Sequence, residues 1–356
     1  WARTRALEFN VMVRQGLDPR EEWATTQQIS DQKQVSSSSM FSIVADQYID
    51  SKRKGWRNTK HRKQWLSTLK THVYPRLGSK PIDQIGIEDV LEVIKPIWHS
   101  KTETANRVRS RIELILDYAS VLNLREGDNP AAWKGNIEVL LPSPKKIAKV
   151  KSHPALHYTQ IDHICKAIGN EEGIPARALE FTILTASRSN PVRAAEWPEI
   201  DFKNAVWNCP GGHMKGGKLF RIPLSDKALA ILHNQQKHSD STLIFANART
   251  GRMMSENAMT LVLHRLGLKS KATTHGMRST FRDWAGETQN FSERLVEVCL
   301  AHTVNSASEA AYQRGDYIAK RRIIMDNWAS FCYPNSNVIP ISRISYDKKT
   351  KNSGRA

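Results

Sequence analysis

The chain has 356 residues, and its 53 Lys and Arg residues against 35 Asp and Glu residues give a formal net charge of +18. A surplus of this size indicates a polyanionic partner, either nucleic acid or an anionic membrane surface. The sequence has no run of about 18 apolar residues and no signal-peptide pattern, which argues against a membrane protein. The four cysteines are far apart and form no C-x-x-C pair, so we expect no zinc site, no disulfide framework and a location in the reducing cytoplasm.

The first segments are expected to be the end of a helix followed by a linker. Residues 1–22 have helical character up to a Gly-Leu-Asp-Pro stop, and because the chain begins with Trp1 rather than Met, we interpret them as the remnant of a further domain. Residues 23–39 are rich in Gln and Ser and lack hydrophobic periodicity, which is typical of a linker.

Residues 40–141 have the pattern of a helical domain with four or five segments. The stretch "FSIVADQYI" is amphipathic, "NTKHRKQWLSTLKTHVYPRLG" ends at a glycine, and "GIEDVLEVIKPIW" is expected to end at Pro96. A further helix, "TETANRVRSRIELILDYASVLN", repeats apolar residues at i, i+4, i+7 and i+11 from Val108 to Ala119. This spacing predicts a buried stripe.

Residues 142–156 are basic and interrupted by prolines, so they are predicted to link two domains. Residues 157–334 mix helices with one clear hairpin, formed by "AVWNC", a loop with four glycines and "LFRIPL". "LIFAN" is expected to be a further short strand, and Ser255 is expected to cap the helix "SENAMTLVLHRLGL". Residues 335–356 are expected to be a loosely ordered tail. The predicted fold is therefore mainly α, with a small β-sheet in an α+β second domain.

The stretch "THGMRSTFRDW", residues 274–284, predicts a short helix with two distinct faces. At about 100° per residue, His275, Arg278 and Arg282 cluster on one face, away from an apolar stripe. That stripe consists of Met277, Phe281 and Trp284. Thr274 is expected to cap the helix, which places His275 and Arg278 at an N-terminus whose free N–H groups and dipole favour an anion.

Other stretches carry further candidate reactive residues. Arg188 follows an apolar helical run in "LTASRSNPVRAAEW", and Lys215 lies in the predicted hairpin loop. His302 ends a helix in "VCLAHTV", and Tyr312 lies near the start of a helix in "SASEAAYQRGDY".

The order and spacing of these residues resemble the catalytic domain of the tyrosine recombinases, and especially the bacteriophage- and genomic-island-type integrases. The shared pattern is an arginine, a lysine in a β-hairpin, His-x-x-Arg, Leu-Ala-His and a tyrosine ten residues later. Residues 40–141 also resemble the helical core-binding domain of these proteins, through "KHRKQWLSTLKTHVYPRLGSKPI" and "ETANRVRSRIELILDYA". Residues 1–22 resemble the end of their N-terminal arm-binding domain, and residues 157–334 would form the catalytic domain.

The resemblance implies a site-specific DNA recombinase that integrates or excises a mobile genetic element through a 3′-phosphotyrosyl intermediate, without a metal or cofactor. The implied catalytic residues are Arg188, Lys215, His275, Arg278, His302 and Tyr312. Tyr312 would attack the phosphorus while Arg188 and Arg278 bind its non-bridging oxygens. Lys215 would protonate the departing 5′-oxygen, His275 would serve in acid–base catalysis, and His302 would donate a hydrogen bond to the phosphate.

These residue types suit phosphoryl transfer. A tyrosine hydroxyl, with an ordinary pKa of about 10, is a poor nucleophile until it is activated and its target is neutralised. Arginine stays charged at any working pH and can bind two phosphate oxygens at once. Two arginines would therefore offset the negative charge that grows on the non-bridging oxygens in the transition state.

The implied partner is double-stranded DNA carrying attachment sites, on which the protein would assemble into a synaptic tetramer in the bacterial nucleoid. A directionality factor and a host DNA-bending protein are further expected partners, and a membrane is not. Candidate DNA-binding residues are Lys60, Arg62, Lys63, Arg107, Arg111 and Arg282. For Arg282, a contact to the DNA backbone and a structural salt bridge are both left open.

One position departs from the family pattern, and the identity of the nucleophile leaves a choice between two tyrosines. Many relatives carry an acidic residue three positions after the first arginine, where this chain has Pro191, so Glu196 and Glu199 are the candidates to orient Arg188. The stretch "AYQRGDY" contains a second tyrosine, Tyr317, which follows a predicted helix break and is expected to pack rather than react.

Two other functions fit the same residues. A relative that binds DNA but has lost catalysis would keep the positive charge, yet the complete set of catalytic residues argues against it. A type IB-like topoisomerase would relax supercoils without a specific site. Covalent-adduct and strand-exchange assays separate both alternatives from a recombinase.

Overall fold

The computed structural model describes residues 39–53, 55–56, 59–148, 152–214, 216–237, 241–302 and 315–334, with residues 9, 11–13, 18 and 20 near the N-terminus. Most of the predicted segments 1–22 and 23–39, and all of the tail 335–356, lie outside the described residues. The chain divides into two units, Trp1–Lys151 and Ser152–Ala356. As predicted, it is mainly helical, with a small antiparallel sheet in the second unit. Among the described helices, none combines the length and apolar character needed to span a membrane.

The first unit is built from amphipathic helices around their own apolar core. Its longer helices are α1 (Phe41–Lys52), α2 (Thr59–Thr68), α3 (Ile87–Trp98) and α4 (Thr102–Val121). A π-helical stretch (Leu69–Val73) and a helical turn (Tyr74–Leu77) extend α2 to Gly78, and short helices follow α4 at Glu138–Leu140 and Pro144–Ile147. The predicted stripe on α4 is confirmed, because Val108, Ile112, Ile115 and Ala119 are each 0% exposed.

Helix α3 does not end at Pro96, as the sequence predicts, but continues to Trp98. Proline removes one intrahelical hydrogen bond and disfavours the preceding turn. Trp98 outweighs that penalty: it is fully buried, its ring centroid lies 5.8 Å from that of Trp133, and its Nε1 donates to the carbonyl of Pro142 at 3.0 Å. Tertiary packing of one large side chain therefore decides where the helix ends.

The second unit combines helices with the sheet around a second apolar core. Its helices are α5 (Ile161–Asn170), α6 (Ile174–Leu184), α7 (Ser189–Arg193), α8 (Asp226–Gln236), α9 (Ala258–Arg265), α10 (Gly276–Thr288), α11 (Glu293–Cys299) and α12 (Ile318–Cys332). Its strands are β1 (Ile200–Asp201), β2 (Val206–Cys209) and β3 (Phe220–Pro223). They pair antiparallel in the order β1-β2-β3, with Trp207 opposite Ile222. The predicted hairpin is thus confirmed as β2 and β3.

Two local predictions in this unit are wrong. "LIFAN" is no strand, since only Leu243 and Ala246 form isolated bridges, to Glu196 and Met253. The two residues between them are both fully buried, which the alternating faces of a half-buried strand do not permit. Helix α9 begins at Ala258, so Asn257 rather than Ser255 occupies its N-cap position.

Helix α10 is fixed by its apolar stripe, as predicted. Met277, Phe281 and Trp284 are each at most 2% exposed. The ring centroids of Phe281 and Trp284 lie 5.4 Å and 5.0 Å from that of Trp328 on α12. Trp328 also donates its Nε1 to the carbonyl of Ile183 on α6 at 2.8 Å. The helix that carries the predicted basic face is therefore anchored to α12, which is itself bonded to α6.

The start of α10 packs closely against residues 152–156. A Cβ at Gly276 would lie 2.0 Å from the carbonyl oxygen of Pro154, so only glycine fits there. The cap differs from the predicted one: the Gly276 N–H donates to the hydroxyl of Thr273 at 2.9 Å, whereas the Thr274 hydroxyl lies 3.2 Å from that of Thr260. Thr274 is buried and does not cap the helix, and the N-cap position belongs to His275.

Candidate active site

Arg278, in the first turn of α10, is a buried arginine held by backbone carbonyls. Its side chain is 5% exposed, and its Nη1 donates to the carbonyl of Ala186 while its Nη2 donates to that of Leu300 at 2.6 Å. These carbonyls follow the C-terminal ends of α6 and α11. Carbonyls at helix C-termini lack intrahelical partners and carry the negative end of the dipole. The guanidinium therefore ties two helix ends together.

Two alanines in a left-handed conformation lie at or next to the residues that supply these carbonyls. Ala186 has φ 47° and Ala301 has φ 48°, in the region that an alanine enters at a cost of about 1–2 kcal/mol. Both lie at the edge of the same pocket region as Arg278, since Ala301 lines the pocket and Ala186 bonds to the guanidinium. Two strained backbone positions therefore lie beside this arginine.

Arg188 reaches the same place from the turn before α7. Its backbone is extended, and its Nη1 donates to the carbonyl of Ala301 at 3.5 Å. Arg188 and Arg278 both line an open pocket, together with Phe220 of β3. Met214, the residue before Lys215, lines it as well. The structure therefore brings together two of the arginines that the sequence selects and the approach to the hairpin loop.

The pocket is lined by two arginines whose pKa values lie below the ordinary value. Burial, followed by the charge of Arg188, lowers the pKa of Arg278 to about 9, and burial lowers the pKa of Arg188. Within the described part of the chain, neither guanidinium forms an ion pair with a carboxylate. Like charges that are partly desolvated favour an anion, which would raise the pKa of both groups again.

His302 joins the site from the turn that follows α11. Its Nε2 lies 3.2 Å from Nη2 of Arg278, and its Nδ1 lies 2.5 Å from a carboxylate oxygen of Glu297. The other oxygen of Glu297 accepts from Nε of Arg282 at 2.6 Å, and Arg282 also pairs with Glu293 at 3.1 Å. Of the two interpretations left open for Arg282, the structure contains the salt bridge, and a DNA contact by this residue stays a prediction.

His275 occupies the N-cap position of α10. Its ring centroid lies 4.8 Å from that of His153 in an edge-to-face arrangement. Burial is the largest influence and lowers the pKa of His275, and the charges of Arg278, His153, Arg188 and His302 lower it further. The imidazole is therefore neutral at pH 7 and able to accept a proton.

The structure gives Arg188 a bond to a backbone carbonyl, and neither Glu196 nor Glu199 forms the expected bond to it. Glu199 accepts a hydrogen bond from Nε1 of Trp207 at 2.7 Å and lies 3.4 Å from Nδ1 of His213, so it serves the β2 region instead. Glu196 pairs through its backbone with Leu243. Arg188 is held by the carbonyl of Ala301.

Lys215 and Tyr312 lie outside the described residues, so their predicted roles stay predictions. Tyr317 stands at the N-cap position of α12 in a left-handed conformation, with φ 52°. Its place at the start of α12 agrees with the helix break that the sequence predicts before it. Glu297 and His153 were not selected from the sequence, because neither forms a recognisable spacing with its partner.

Several candidate DNA-binding residues lie at the surface of the first unit. Lys63 is exposed on α2. Arg62 pairs with Asp50 at 3.0 Å, with about a third of its side chain exposed, and Arg107 pairs with Glu103 at 3.0 Å on α4. Exposed pairs of this kind are weak and can exchange for a phosphate. These three residues remain predicted DNA contacts.

Arg111 is placed differently from the other candidates. It is 9% exposed, donates from Nη1 to the carbonyl of Gln64 at 3.0 Å, and lies 5.0 Å from the ring centroid of Trp65. These contacts satisfy its guanidinium inside the unit. The backbone of Lys60 belongs to α2, and its side chain lies outside the described part of the chain.

Two family models match the chain. The model of the phage integrase central domain matches residues 41–136, and the model of the phage integrase family matches residues 155–317. The first match lies in the helical unit, and the second spans every candidate catalytic residue from Arg188 to Tyr312.

The chain is also similar to curated proteins and solved structures. It is 28% identical to prophage integrase IntZ of Escherichia coli (strain K12), over 92% of this chain and 79% of that protein, and 27% identical to the integrase of Enterobacteria phage P4, over 94% and 78%. A lambda integrase dimer bound to a COC′ core site has the same fold, with a TM-score of 0.58 and 17% identity over 73% of this chain and 94% of that one. A lambda integrase tetramer bound to a Holliday junction has a TM-score of 0.58 at 15% identity, over 74% and 77%.

Proposed function

The chain belongs to the phage integrase family of tyrosine recombinases, and from this premise we propose how it acts on DNA. It is a site-specific recombinase that cleaves and rejoins DNA through a 3′-phosphotyrosyl intermediate and so integrates or excises a mobile genetic element. The observation that carries the proposal is the pair Arg188 and Arg278, which line one pocket without an ion-paired carboxylate among the described residues.

The two arginines are proposed to hold the scissile phosphate. The phosphodiester repels an incoming nucleophile, and charge grows on its non-bridging oxygens as the reaction proceeds. Guanidinium groups that are already fixed by carbonyls need no reorganisation to meet that charge, and each such donor is typically worth about 3–4 kcal/mol. His302, whose Nε2 lies beside Arg278, would add a donor on the same phosphate.

The proton transfers are assigned to the remaining residues by their match to the family motif. Tyr312 forms the bond to phosphorus as the bond to the 5′-oxygen breaks, and Lys215 supplies the proton that this oxygen takes up. Neutral His275 accepts the proton that the phenol loses. The phosphotyrosyl link keeps the bond energy, so a 5′-hydroxyl of another strand can attack it and restore the phosphodiester without a cofactor.

Tyr312 rather than Tyr317 is proposed as the nucleophile. The spacing from His302 matches the family motif at Tyr312. Tyr317 belongs to the start of α12, where Arg321 is 1% exposed and donates to the carbonyl of Asp316 at 3.2 Å. That anchoring supports a structural role for the second tyrosine.

The division of labour between the units is part of the same proposal. Residues 40–141 would bind the core site as the helical domain, residues 157–334 would perform the chemistry, and residues 142–156 would connect them. The partner is double-stranded DNA, on which the protein would form a synaptic tetramer, as lambda integrase does on a Holliday junction. A directionality factor and a host DNA-bending protein would assist in the nucleoid of a bacterial cytoplasm.

A nicked suicide substrate that carries the cognate core site tests the proposal, because cleavage on it traps the covalent adduct for denaturing electrophoresis. The wild-type chain and Tyr317→Phe should form the adduct, whereas Tyr312→Phe should bind DNA with near-normal affinity and form none. Adduct mapped to Tyr317 would overturn the assignment of the nucleophile. Binding without any adduct would indicate a silent relative, and relaxation of supercoils that lack the site would indicate a topoisomerase.

The role of Lys215 is tested with a substrate whose 5′-bridging oxygen is replaced by sulfur. A thiolate leaves without protonation, so Lys215→Ala should be slow on the normal substrate, by about 10²–10⁴-fold, and largely restored on the sulfur substrate. Equal losses on both substrates would remove Lys215 from the role of general acid.

A further inference from the structure

Glu297 holds His302 at two points. Its carboxylate lies 2.5 Å from Nδ1 of His302, and its backbone carbonyl accepts from the His302 N–H at 3.1 Å. The imidazole is therefore fixed both at its ring and at its main chain by one residue on α11. Its other nitrogen, Nε2, is the one directed at Arg278.

The hydrogen-bond partners of His302 assign its tautomer. Arg278 has only donors, so Nε2 of His302 accepts from its Nη2 across 3.2 Å. Nδ1 then carries the proton and donates it to Glu297. In this arrangement His302 offers the pocket an acceptor, whereas hydrogen bonding to a phosphate needs a donor at Nε2. A second proton on the ring provides that donor, and a carboxylate on the far nitrogen favours it.

Glu297 is well placed to supply that negative charge. Its side chain is 22% exposed. Burial raises the pKa of Glu297, but hydrogen bonds from His302 and Arg282 lower it more, so the carboxylate is ionised at neutral pH. Arg282 on α10 holds the second oxygen at 2.6 Å, which links the helix that carries Arg278 to the segment that carries His302.

We propose that Glu297 is a positioning residue for DNA cleavage, acting through His302. It keeps Nε2 of His302 aimed at the pocket and stabilises the doubly protonated ring when a DNA phosphate takes the place of His302 as the partner of Arg278. The inference rests on the proposed function, because it requires the phosphate to bind at this pocket.

The chain offers a matched control on the same helix. Glu293 pairs with the same Arg282 at 3.1 Å, but its side chain is 82% exposed, and among the described residues its ion-pair partner is Arg282. Replacing Glu293 therefore perturbs the ion pair with α10 and leaves the support of His302 in place. Glu297→Gln keeps an acceptor for Nδ1 but removes the charge, which separates orientation from electrostatics.

Single-turnover adduct formation on the suicide substrate, with DNA affinity measured in parallel, tests the inference. Glu297→Ala should slow adduct formation by about 10–100-fold while the Kd for DNA stays within about threefold and the melting temperature confirms a folded chain. Glu297→Gln should fall between Glu297→Ala and wild type. Glu293→Ala should stay within about twofold of wild type.

A double-mutant cycle with His302 distinguishes action through His302 from general loosening of α11. In a His302→Ala background, Glu297→Ala should change the rate by less than about threefold, because its target is already gone. Losses that multiply, or a Glu293→Ala defect equal to that of Glu297→Ala, would overturn the inference. Equal rates of adduct formation by the wild type and Glu297→Ala would overturn this inference and leave the proposed function intact. A wild-type chain that forms no adduct would overturn both the proposed function and this inference.

Discussion

Arg109 in the first unit and Arg278 in the second are buried to nearly the same extent, at 6% and 5% exposure, but in opposite electrostatic surroundings. Arg109 donates from Nη1 to the carboxylate of Glu113 and to the carbonyl of Ala131, both at 2.7 Å. Arg278 lies beside Arg188, with carbonyls and a histidine as its hydrogen-bond partners. Among the described residues, Arg109 forms an ion pair with a carboxylate and Arg278 does not.

On the proposed function, this difference separates a structural arginine from one that binds a phosphate. A buried charge with a carboxylate partner is satisfied, and it contributes to stability only through that pairing. A buried charge beside a second cation lowers stability until an anion arrives, and the binding energy of that anion includes the relief of the repulsion. Burial alone does not identify a functional arginine; the charge of its neighbours does.

Arg188→Ala should show the largest effect. It removes a donor from the pocket, so adduct formation should fall by about 10²–10³-fold. It also removes the like charge that acts on Arg278, so thermal stability should stay unchanged or rise. Suicide-substrate cleavage and calorimetric unfolding measure the two outcomes. A variant that loses several degrees of melting temperature would mean that Arg188 is held as a structural residue.

Arg109→Ala should show the reverse pattern. It leaves the carboxylate of Glu113, about a quarter exposed, without its partner, so the free energy of unfolding should fall by about 1–3 kcal/mol. Below the new melting temperature, the cleavage rate of substrate already bound should match that of the wild type. Denaturant unfolding and single-turnover cleavage check both parts. A catalytic loss at full stability would erase the contrast between the two arginines.

The cationic pocket should also make stability depend on pH through His275. Burial and the neighbouring charges lower the pKa of His275 from its ordinary value of 6.5. As the pH falls, the unfolded chain therefore binds this proton before the folded chain does. The stability that the neutral ring contributes above pH 6.5 is lost as the pH falls from 6.5 through the lower pKa of the folded state. His275→Asn should reduce this loss of stability between about pH 7.5 and pH 5, measured as the pH dependence of the free energy of unfolding.

A matched variant controls for the other histidines. The side chain of His163 on α5 is 82% exposed and does not line the pocket, so His163→Asn is the control for replacing a histidine away from the two arginines. Equal slopes for the wild type, His163→Asn and His275→Asn would show that the pocket exerts no net positive field on His275.

The smallest effect is expected at the strained turn beside the pocket. Ala301→Gly relieves the left-handed strain at φ 48°, but it adds freedom to the unfolded chain, and the two terms of about 1 kcal/mol offset each other. The free energy of unfolding should therefore change by less than about 0.5 kcal/mol. Ala329→Gly, within α12, has no strain to relieve and should cost about 1 kcal/mol. Equal losses at both positions would remove strain from the description of the site.

The apolar stripes of α4 and α10 could be predicted because burial on one face of a helix follows from the 3.6-residue repeat alone. The identities of Arg188 and Arg278 followed from motif order. The cradle around Arg278 could not be predicted, because Ala186 and Leu300 lie 92 and 22 positions away in sequence. The same holds for the end of α3 at Trp98, where packing against Trp133 overrides the local effect of proline.

The central claim is that Arg188 acts on the negative charge of one DNA phosphate, and a substrate that lacks this charge tests it most directly. Replacing one non-bridging oxygen of the scissile phosphate by a methyl group makes the linkage neutral and keeps its shape. Arg188→Ala should cleave this substrate within about tenfold of the wild-type rate, although it is slowed by about 10²–10³-fold on the ordinary phosphate. An equal loss on both substrates would contradict the account, because Arg188 would then serve some purpose other than neutralising the phosphate.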